Sequence, residues 1–191
     1  ELTLDGPARG ALEVILPRGT STMAARIKCW EHESILAQSH PAQGGEVAQF
    51  WHAHGIPTPQ LHDETVSGGW VQPLPYDDDL AIAWCLERAP QGETLLYICA
   101  EYGATPQEAW AKASETLVAL SQTGYETLAE QEQSWWRHYW DGAARVHVPD
   151  AALQELYDLG MYKLPGVSWP GTPAASLQGP WVEEYRMPPW R

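Results

Sequence analysis

Hydrophobic positions in the first half of the chain form short runs that are typical of β-strands. These runs are residues 12–16, 24–30, 80–86 and 94–102. The last two are apolar at almost every position, which predicts strands buried on both faces. Turn-forming Pro and Gly residues separate the runs at 16–19, 68–69 and 89–92. Short strands with frequent turns and no helical period predict a β-sandwich over residues 1–104.

The period changes to that of an α-helix just after Gly103. Thr105, Pro106 and Glu108 combine a capping hydroxyl, a proline suited to the first helical position and a capping-box carboxylate. Gly124 is a stop signal for this helix. The apolar stripe predicted to be buried is Ala109, Trp110, Ala113, Leu117 and Leu120.

Two further helices are predicted, and the first of them is rich in tryptophan. It covers residues 125–140, and we interpret Trp135, Trp136 and Trp140 as packing residues at a domain interface. Asp150 is a capping residue for the next helix, and the chain is predicted to be loop after Pro165. The face of this helix predicted to be buried is Leu153, Leu156, Tyr157, Gly160, Met161 and Leu164.

Charge and composition narrow the classes of partner. The formal net charge is −14 and the 191 residues include three lysines, so phosphate backbones and anionic membrane surfaces are repelled. The sequence predicts no nucleic-acid partner, no membrane-spanning segment and no cofactor, since phosphate loops and long apolar spans are not recognisable. Eleven tryptophans against one phenylalanine favour carbohydrate, because indole rings stack on sugar rings.

The three cysteines and the chain ends bear on the protein's context. Cys29, Cys85 and Cys99 lie in apolar runs without metal-type spacing, which predicts buried free thiols, although one pair could be bridged. Compartment therefore stays open. The chain begins with Glu1 and ends at Arg191 after a Pro- and Trp-rich run, and we expect both ends to lie inside a longer protein.

Two polar clusters are candidates for metal binding. His52, His54 and His62 could form a cupin-like set, but the Pro-broken sequence around them favours a solvated loop. The consecutive acidic residues 77–79 lack the alternate spacing and glycine of a calcium loop, and a solvated turn is the preferred interpretation.

The second half of the chain resembles a known enzyme superfamily in the order of its motifs. TPQEAWAKA (105–113) and GYETL (124–128) are similar to linker helices of the six-hairpin (α/α-toroid) glycoside hydrolases, near the α-fucosidase-like families. WWRHYWDGAARVHVPD (135–150) and LQELYDLGMYKL (153–164) resemble the entry to the barrel and its first helix. SLQGPW (176–181) and PPW (188–190) are similar to a loop at the sugar-binding mouth.

The resemblance implies a fold, an activity and a set of contact residues. The fold is a supersandwich-like β-sandwich over 1–104, a helical linker over 105–148, and the start of an (α/α)6 barrel over 149–191. The activity is glycoside hydrolysis by two carboxyl groups, which the resemblance locates beyond this chain. Partners are then a carbohydrate substrate and the rest of the barrel. The implied substrate contacts are Gln178, Trp181, Glu184 and Trp190.

A non-catalytic protein is the alternative from a different functional class. The excess of tryptophan on an acidic, β-rich chain also suits a carbohydrate-binding or interaction module. Such a module would bind glycans without turning them over.

Overall fold

The structure is a computed structural model that describes residues 12–15, 21–27, 49, 52–90 and 92–167. For 12–15 and 21–27 the description concerns the backbone. Contacts divide the chain into a first unit, residues 1–135, and a second unit, residues 136–191. Among the helices of the described part, none is long and apolar enough to span a bilayer.

The described strands of the first unit form one antiparallel sheet. They are β1 (Leu12–Ile15), β2 (Ser21–Ile27), β3 (Gln60–Asp63), β4 (Ser67–Gln72), β5 (Asp79–Arg88) and β6 (Thr94–Gly103). Their spatial order is β1-β2-β6-β5-β4-β3, and each neighbouring pair is antiparallel. The predicted β-rich first half is confirmed, and β5 and β6 extend slightly beyond the predicted runs. The turn predicted at 16–19 lies outside the described residues.

The hairpin of β3 and β4 corrects two sequence predictions. His62 lies within a strand rather than a loop, and Gly68–Gly69 lie inside β4 rather than in a turn. A pair of glycines is typical of a turn, but here glycine is present because neighbouring groups approach the strand closely. A Cβ on Gly69 would lie 2.1 Å from the carbonyl oxygen of Ile82, and one on Gly68 would lie 2.9 Å from the Trp84 ring. Glycine is needed here for strand packing.

The first helix, α1 (Pro106–Thr123), begins and ends as predicted. The Thr105 hydroxyl accepts a hydrogen bond from the Glu108 amide at 3.2 Å, and the Glu108 carboxylate accepts one from the Ala104 amide at 3.2 Å. These bonds satisfy backbone donors that an uncapped helix leaves unpaired. Gly124 ends the helix with a positive φ of 76°, which an L side chain rarely adopts.

The hydrophobic core lies between α1 and one face of the sheet. Ala81 and Ala83 of β5 are fully buried against the helix, where small side chains let sheet and helix backbones approach. The predicted stripe of α1 is confirmed, with Trp110 half-buried at its edge. The other core residues are Val71, Tyr97, Cys99, Ala109, Ala113, Leu117, Leu120, Tyr125 and Leu128.

The opposite face of the sheet is buried less completely. Trp84 and Leu96 are buried, whereas Leu80, Ile82 and Ile98 are half-buried. The expectation of two fully buried faces for β5 and β6 is therefore correct on the α1 side and only partly correct on the other. Over the described ranges the fold is one antiparallel sheet followed by helices, without a second sheet.

Two more helices follow α1 in the described residues: α2 (Tyr125–Gly142) and α3 (Ala151–Val167). The predicted cap of α3 is confirmed, because the Asp150 carboxylate accepts hydrogen bonds from the amides of Ala152 and Leu153 at 2.9 and 3.0 Å.

Most of the predicted apolar face of α3 is exposed within the described residues, while Tyr157 and Met161 are half-buried. Leu153 and Leu156 are 55% and 65% exposed. The side that is half-buried or buried carries Gln154, Tyr157, Met161 and Pro165. Leu153, Leu156 and Leu164 form one apolar stripe, and the packed side of the helix lies next to that stripe rather than on it.

α3 continues through Pro165 to Val167, whereas the sequence predicts loop directly after Pro165. Proline lacks an N–H, so Pro165 leaves the carbonyl of Met161, four residues earlier, without its helical donor. The Tyr139 hydroxyl of α2 donates a hydrogen bond to that carbonyl at 2.8 Å. A partner from the neighbouring helix therefore stabilises a helical turn that contains proline.

The described thiols are free, as the sequence predicts. Cys85 and Cys99 form no disulfide, and Cys99 donates to the carbonyl of Ala113 at 3.2 Å. Burial raises the pKa of Cys85 to about 11 and that of Cys99 to about 12, with smaller contributions from nearby carboxylates. Both side chains stay protonated at neutral pH and pack as small apolar groups. Cys29 lies outside the described residues.

Candidate functional site

The contact residues implied by the resemblance are not among the described residues. Gln178, Trp181, Glu184 and Trp190 all lie beyond residue 167, in the part of the chain outside the description. Their role therefore stays a prediction. Described residues line a cavity in each unit instead.

The larger cavity lies in the second unit, and we call it the aromatic cleft. It has a volume of about 740 Å³ and is open to solvent. The end of α2 contributes Trp136 and Trp140, which lie one helical turn apart on the same side of the helix. The irregular connector after α2, residues 143–150, contributes Arg145. α3 contributes Tyr157 and Asp158.

Hydrogen bonds hold the connector against α3. The side-chain oxygen of Gln154 accepts a bond from the Val148 amide at 2.8 Å, and its nitrogen donates to Asp158 at 2.9 Å. The Tyr157 hydroxyl donates to the carbonyl of Ala144 at 2.5 Å. The connector has no regular secondary structure, so these side chains fix the wall of the cleft.

Near-parallel aromatic rings support the other wall. Tyr162 stacks on Trp136 with ring centroids 5.0 Å apart and an interplanar angle of 17°. Trp136 in turn faces Trp140 at 6.3 Å and 23°. Tyr139 meets Trp136 and Trp140 edge-on. Offset-stacked and edge-to-face rings restrict one another, so the indoles form a rigid platform.

Charged groups of both signs line the aromatic cleft. Arg137 and Arg145 are balanced by Asp141 and Asp158, and all four are exposed. Arg145 also approaches the Trp140 carbonyl at 3.4 Å. The cleft thus offers donors, acceptors and indole surface together. That combination suits a ligand with both apolar faces and hydroxyl groups.

The second cavity lies in the first unit, between the β3–β4 hairpin and α1, and we call it the hairpin cavity. Its volume is about 630 Å³. Its hydroxyl groups already have partners within the protein. Ser67 donates to Glu64 at 2.9 Å, Ser114 donates to the Trp110 carbonyl at 2.8 Å, and Ser121 donates to Glu87.

His62 covers one aromatic side chain of the hairpin cavity. Its imidazole stacks on Trp110 with centroids 3.8 Å apart and an interplanar angle of 9°. Desolvation lowers the pKa of His62 below its ordinary value of 6.5, so the ring is neutral at neutral pH. This contact removes indole surface from any ligand, and the cavity is the weaker candidate site.

The candidate metal clusters do not form among the described residues. His52 and His54 are exposed in a helical turn, while His62 lies in β3, and no group of three metal-ligating side chains occurs in the described ranges. The cupin-like set is therefore not assembled. The interpretation of a solvated loop is correct as to exposure for His52 and His54, which lie in a helical turn, and wrong for His62.

The acidic segment 77–79 forms hydrogen bonds within its own turn. Asp79 is buried and accepts a hydrogen bond from the Leu74 amide at 2.8 Å, while Asp77 accepts one from the Asp78 amide at 3.0 Å. The turn is as predicted, except that Asp79 is not solvated. Its carboxylate satisfies a backbone donor where β5 begins.

Sequence reasoning assigned Trp136 and Trp140 to packing and did not recognise the cleft that they line. The available signal was the four-residue spacing of the two indoles, followed directly by Asp141. Arg145 and Asp158 lie in different segments, which only the tertiary structure brings together.

Comparison with known proteins adds no relative from which a function could be carried over. The chain matches no protein-family model, no curated protein and no solved structure.

Proposed function

We propose that this chain is the N-terminal portion of a glycoside hydrolase that acts on oligo- or polysaccharide. In this proposal the first half is a β-sandwich, α1 and α2 are linker helices, and α3 is the first helix of an (α/α)6 barrel. The catalytic acid and base belong to later barrel elements outside residues 1–191. This chain supplies sugar contacts at the mouth of the barrel, through Gln178, Trp181, Glu184 and Trp190.

The observation that carries the proposal is the exposed apolar side of α3. Leu153, Leu156, Leu159, Tyr162 and Leu164 are each between 45% and 65% exposed. Exposed leucines at this density lose the stabilisation of burial, roughly 1.5–3 kcal/mol for each fully buried side chain. A helix that is apolar on more than one side is typical of a position with helical neighbours on each side, as in an α/α barrel.

The order of elements agrees with the same proposal. An antiparallel sheet is followed by α1 and α2, then by an irregular connector at 143–150, and then by the Asp150-capped α3. The resemblance implies this sequence of elements from its motifs alone. The mixed aromatic and charged cleft beside the connector provides further support, since its chemistry suits carbohydrate.

The experiment begins with the polypeptide purified from its natural source. Its intact mass is compared with the 21.3 kDa of this chain, and it is then assayed on a broad panel of aryl glycosides and oligosaccharides. We expect a larger mass and hydrolysis of at least one substrate. A polypeptide that hydrolyses none of the panel contradicts the proposal.

A non-catalytic carbohydrate-binding module is the second candidate. It is favoured by the aromatic cleft, which lies wholly within the second unit of this chain and requires no additional domain. The two candidates differ in turnover. Glycan binding by a natural polypeptide of 21.3 kDa, without hydrolysis, supports the module and excludes the hydrolase.

A further inference from the structure

The aromatic cleft contains one ring that is placed to stack on a ligand. Tyr162, Trp136 and Trp140 form a row of near-parallel rings, and Trp140 is the last of them in the described residues. Trp140 is half-buried and lines the cleft. Trp136 lies on one side of its ring, and the Trp140 side chain forms part of the cleft lining. The row restricts the ring and lowers the entropy that binding would cost.

The charges around Trp140 select the class of ligand. Arg137 and Arg145 give two positive charges, and Asp141 and Asp158 give two negative ones. The cleft is therefore neutral overall within a chain of net charge −14. For a phosphate or uronate, attraction by the two arginines is offset by the two carboxylates, and the field of an acidic protein remains, whereas a neutral ligand meets no such repulsion.

The polar groups match the hydroxyl groups of a sugar. Asp141 forms no hydrogen bond or ion pair to another described residue, so its carboxylate remains available as an acceptor. Asp158 accepts one bond from Gln154 and retains further acceptor capacity. Arg145 provides donors in a planar fork. Acceptors and donors flanking an indole face are what a pyranose ring requires, because it has apolar faces and a polar rim.

The hairpin cavity lacks these properties. Its serine hydroxyls bond to Glu64, Glu87 and a backbone carbonyl, and His62 stacks on Trp110. A ligand there would have to break existing contacts before making its own. In the aromatic cleft Asp158 and Arg145 have one such bond each, whereas Asp141 has none to another described residue, so a ligand there displaces fewer contacts.

We propose that the aromatic cleft is a binding site for neutral saccharides, with a sugar ring stacked on Trp140 and its hydroxyl groups bonded to Asp141, Asp158 and Arg145. The described residues that form the site belong to the second unit and are other than the implied contacts at 178–190. The inference rests on the proposed function in naming carbohydrate as the ligand. It goes further in assigning the residues and in specifying a neutral sugar.

Isothermal titration calorimetry on the 191-residue chain tests the site. The probes are neutral trisaccharides of glucose, galactose, mannose, xylose and fucose, with trigalacturonic acid as the anionic comparison. We expect at least one neutral trisaccharide to bind with Kd of about 1 mM or tighter and trigalacturonic acid to bind more weakly. Failure of every neutral probe to bind, or preference for the anionic one, overturns the proposal.

Matched variants locate the binding. Trp140→Ala is expected to raise Kd about tenfold by removing the stacking surface. Trp135→Ala changes a tryptophan of the same helix that does not line the cleft, and it should leave Kd unchanged. Equal affinities for Trp140→Ala and the unmodified chain, with helix content retained in circular dichroism, overturn the assignment.

A conservative substitution tests the site without unfolding the second unit. Asp158→Asn keeps the oxygen that accepts from Gln154 and changes only the charge and acceptor capacity. We expect Kd to rise about threefold with an unchanged unfolding transition. An unchanged Kd removes Asp158 from the site.

These outcomes separate the inference from the proposed hydrolase. Sugar binding that depends on Trp140, in a natural polypeptide without hydrolytic activity, retains the cleft and rejects the hydrolase. Hydrolysis by the natural polypeptide, combined with Trp140-independent binding in this chain, retains the hydrolase and rejects the cleft.

Discussion

The two units of this chain use hydrophobic residues in opposite ways. In the first unit, alanines and a few larger side chains are sealed between α1 and the sheet, and the buried hydrophobic residues of the described ranges all lie between Trp70 and Leu128. In the second unit Pro165 alone is buried among the described residues, while large rings and leucines remain partly or mostly exposed. Apolar content thus stabilises the first unit internally and remains available for contacts in the second.

The difference also appears at the backbone. Gly103 lies so close to α1 that an added Cβ would be 2.3 Å from the Ala109 nitrogen, whereas the helical Gly160 has no atom within 4 Å of such a Cβ. The first unit depends on close backbone contacts. The second depends on side-chain contacts around aromatic rings, which tolerate more change.

Matched leucine substitutions should give the largest contrast. Leu117 is 8% exposed in the core, so Leu117→Ala is expected to lower the free energy of unfolding by about 3 kcal/mol. Leu156 is 65% exposed, so Leu156→Ala should change it by less than about 0.5 kcal/mol. Urea denaturation followed by far-UV circular dichroism measures both, and equal losses would contradict the comparison.

Matched glycine substitutions should act in opposite directions. Gly103→Ala pushes a methyl group into the backbone of α1 and should destabilise the protein by about 2 kcal/mol. Gly160→Ala meets open space within a helix and should stabilise it by about 0.5–1 kcal/mol. Thermal unfolding of the two variants beside the unmodified chain is the measurement. Destabilisation by Gly160→Ala would mean that α3 packs more tightly than the structure indicates.

Removing the Tyr139 hydroxyl, which donates to the carbonyl that Pro165 leaves unpaired, should have a smaller effect on the free energy of unfolding. Tyr139→Phe leaves the Met161 carbonyl without a donor and should cost about 1 kcal/mol. Tyr162→Phe, on a half-exposed ring of the same aromatic row, is the control and should be close to neutral.

A double substitution identifies the origin of that effect. Pro165→Ala supplies the missing N–H, so Tyr139→Phe should cost less in that background. An undiminished cost would show that the hydroxyl acts otherwise than through the Met161 carbonyl.

The smallest expected effect is a pH dependence centred on His62. Burial lowers its pKa, so the unfolded chain binds this proton at a higher pH than the folded protein does. The stabilisation is complete above the ordinary pKa of 6.5 and is lost as the pH falls from there toward the lower folded pKa. The loss should stay below about 1 kcal/mol, because His62 is partly solvated.

His62→Gln tests that dependence. Unfolding free energies are compared at about pH 7.5 and about pH 5.5, and the unmodified chain should lose more stability than the variant. Identical losses in the two proteins would exclude a contribution from His62.

Local signals in the sequence were sufficient for both ends of α1 and for the start of α3. The caps at Thr105 and Asp150 and the stop at Gly124 each depend on residues only a few positions apart, so local chemistry decides them. The hairpin of β3 and β4 was missed for the opposite reason. Gly68 and Gly69 have the composition of a turn, but their strand conformation is set by cross-strand neighbours such as Trp84.

The candidate site was less predictable than the fold. The spacing of Trp136 and Trp140 places them on one side of a helix, but nothing local reveals that Arg145 and Asp158 face the same space. That meeting depends on the bonds from Tyr157 and Gln154 to the connector. Helical periodicity identified the leucine stripe of α3 but not its packed side, which includes Gln154 and a proline.

The order of strands in the sheet has a consequence for how the chain folds. β3, β4 and β5 each pair with the next strand along the sequence, and α1 follows β6 immediately and packs on β4, β5 and β6. β2 must instead reach across to β6, where Ile27 pairs with Thr94. Pairing between distant strands has a larger loop-closure entropy cost. We therefore expect the segment from β3 to α1 to fold first, and β2 and β1 to pair with its β6 edge afterwards.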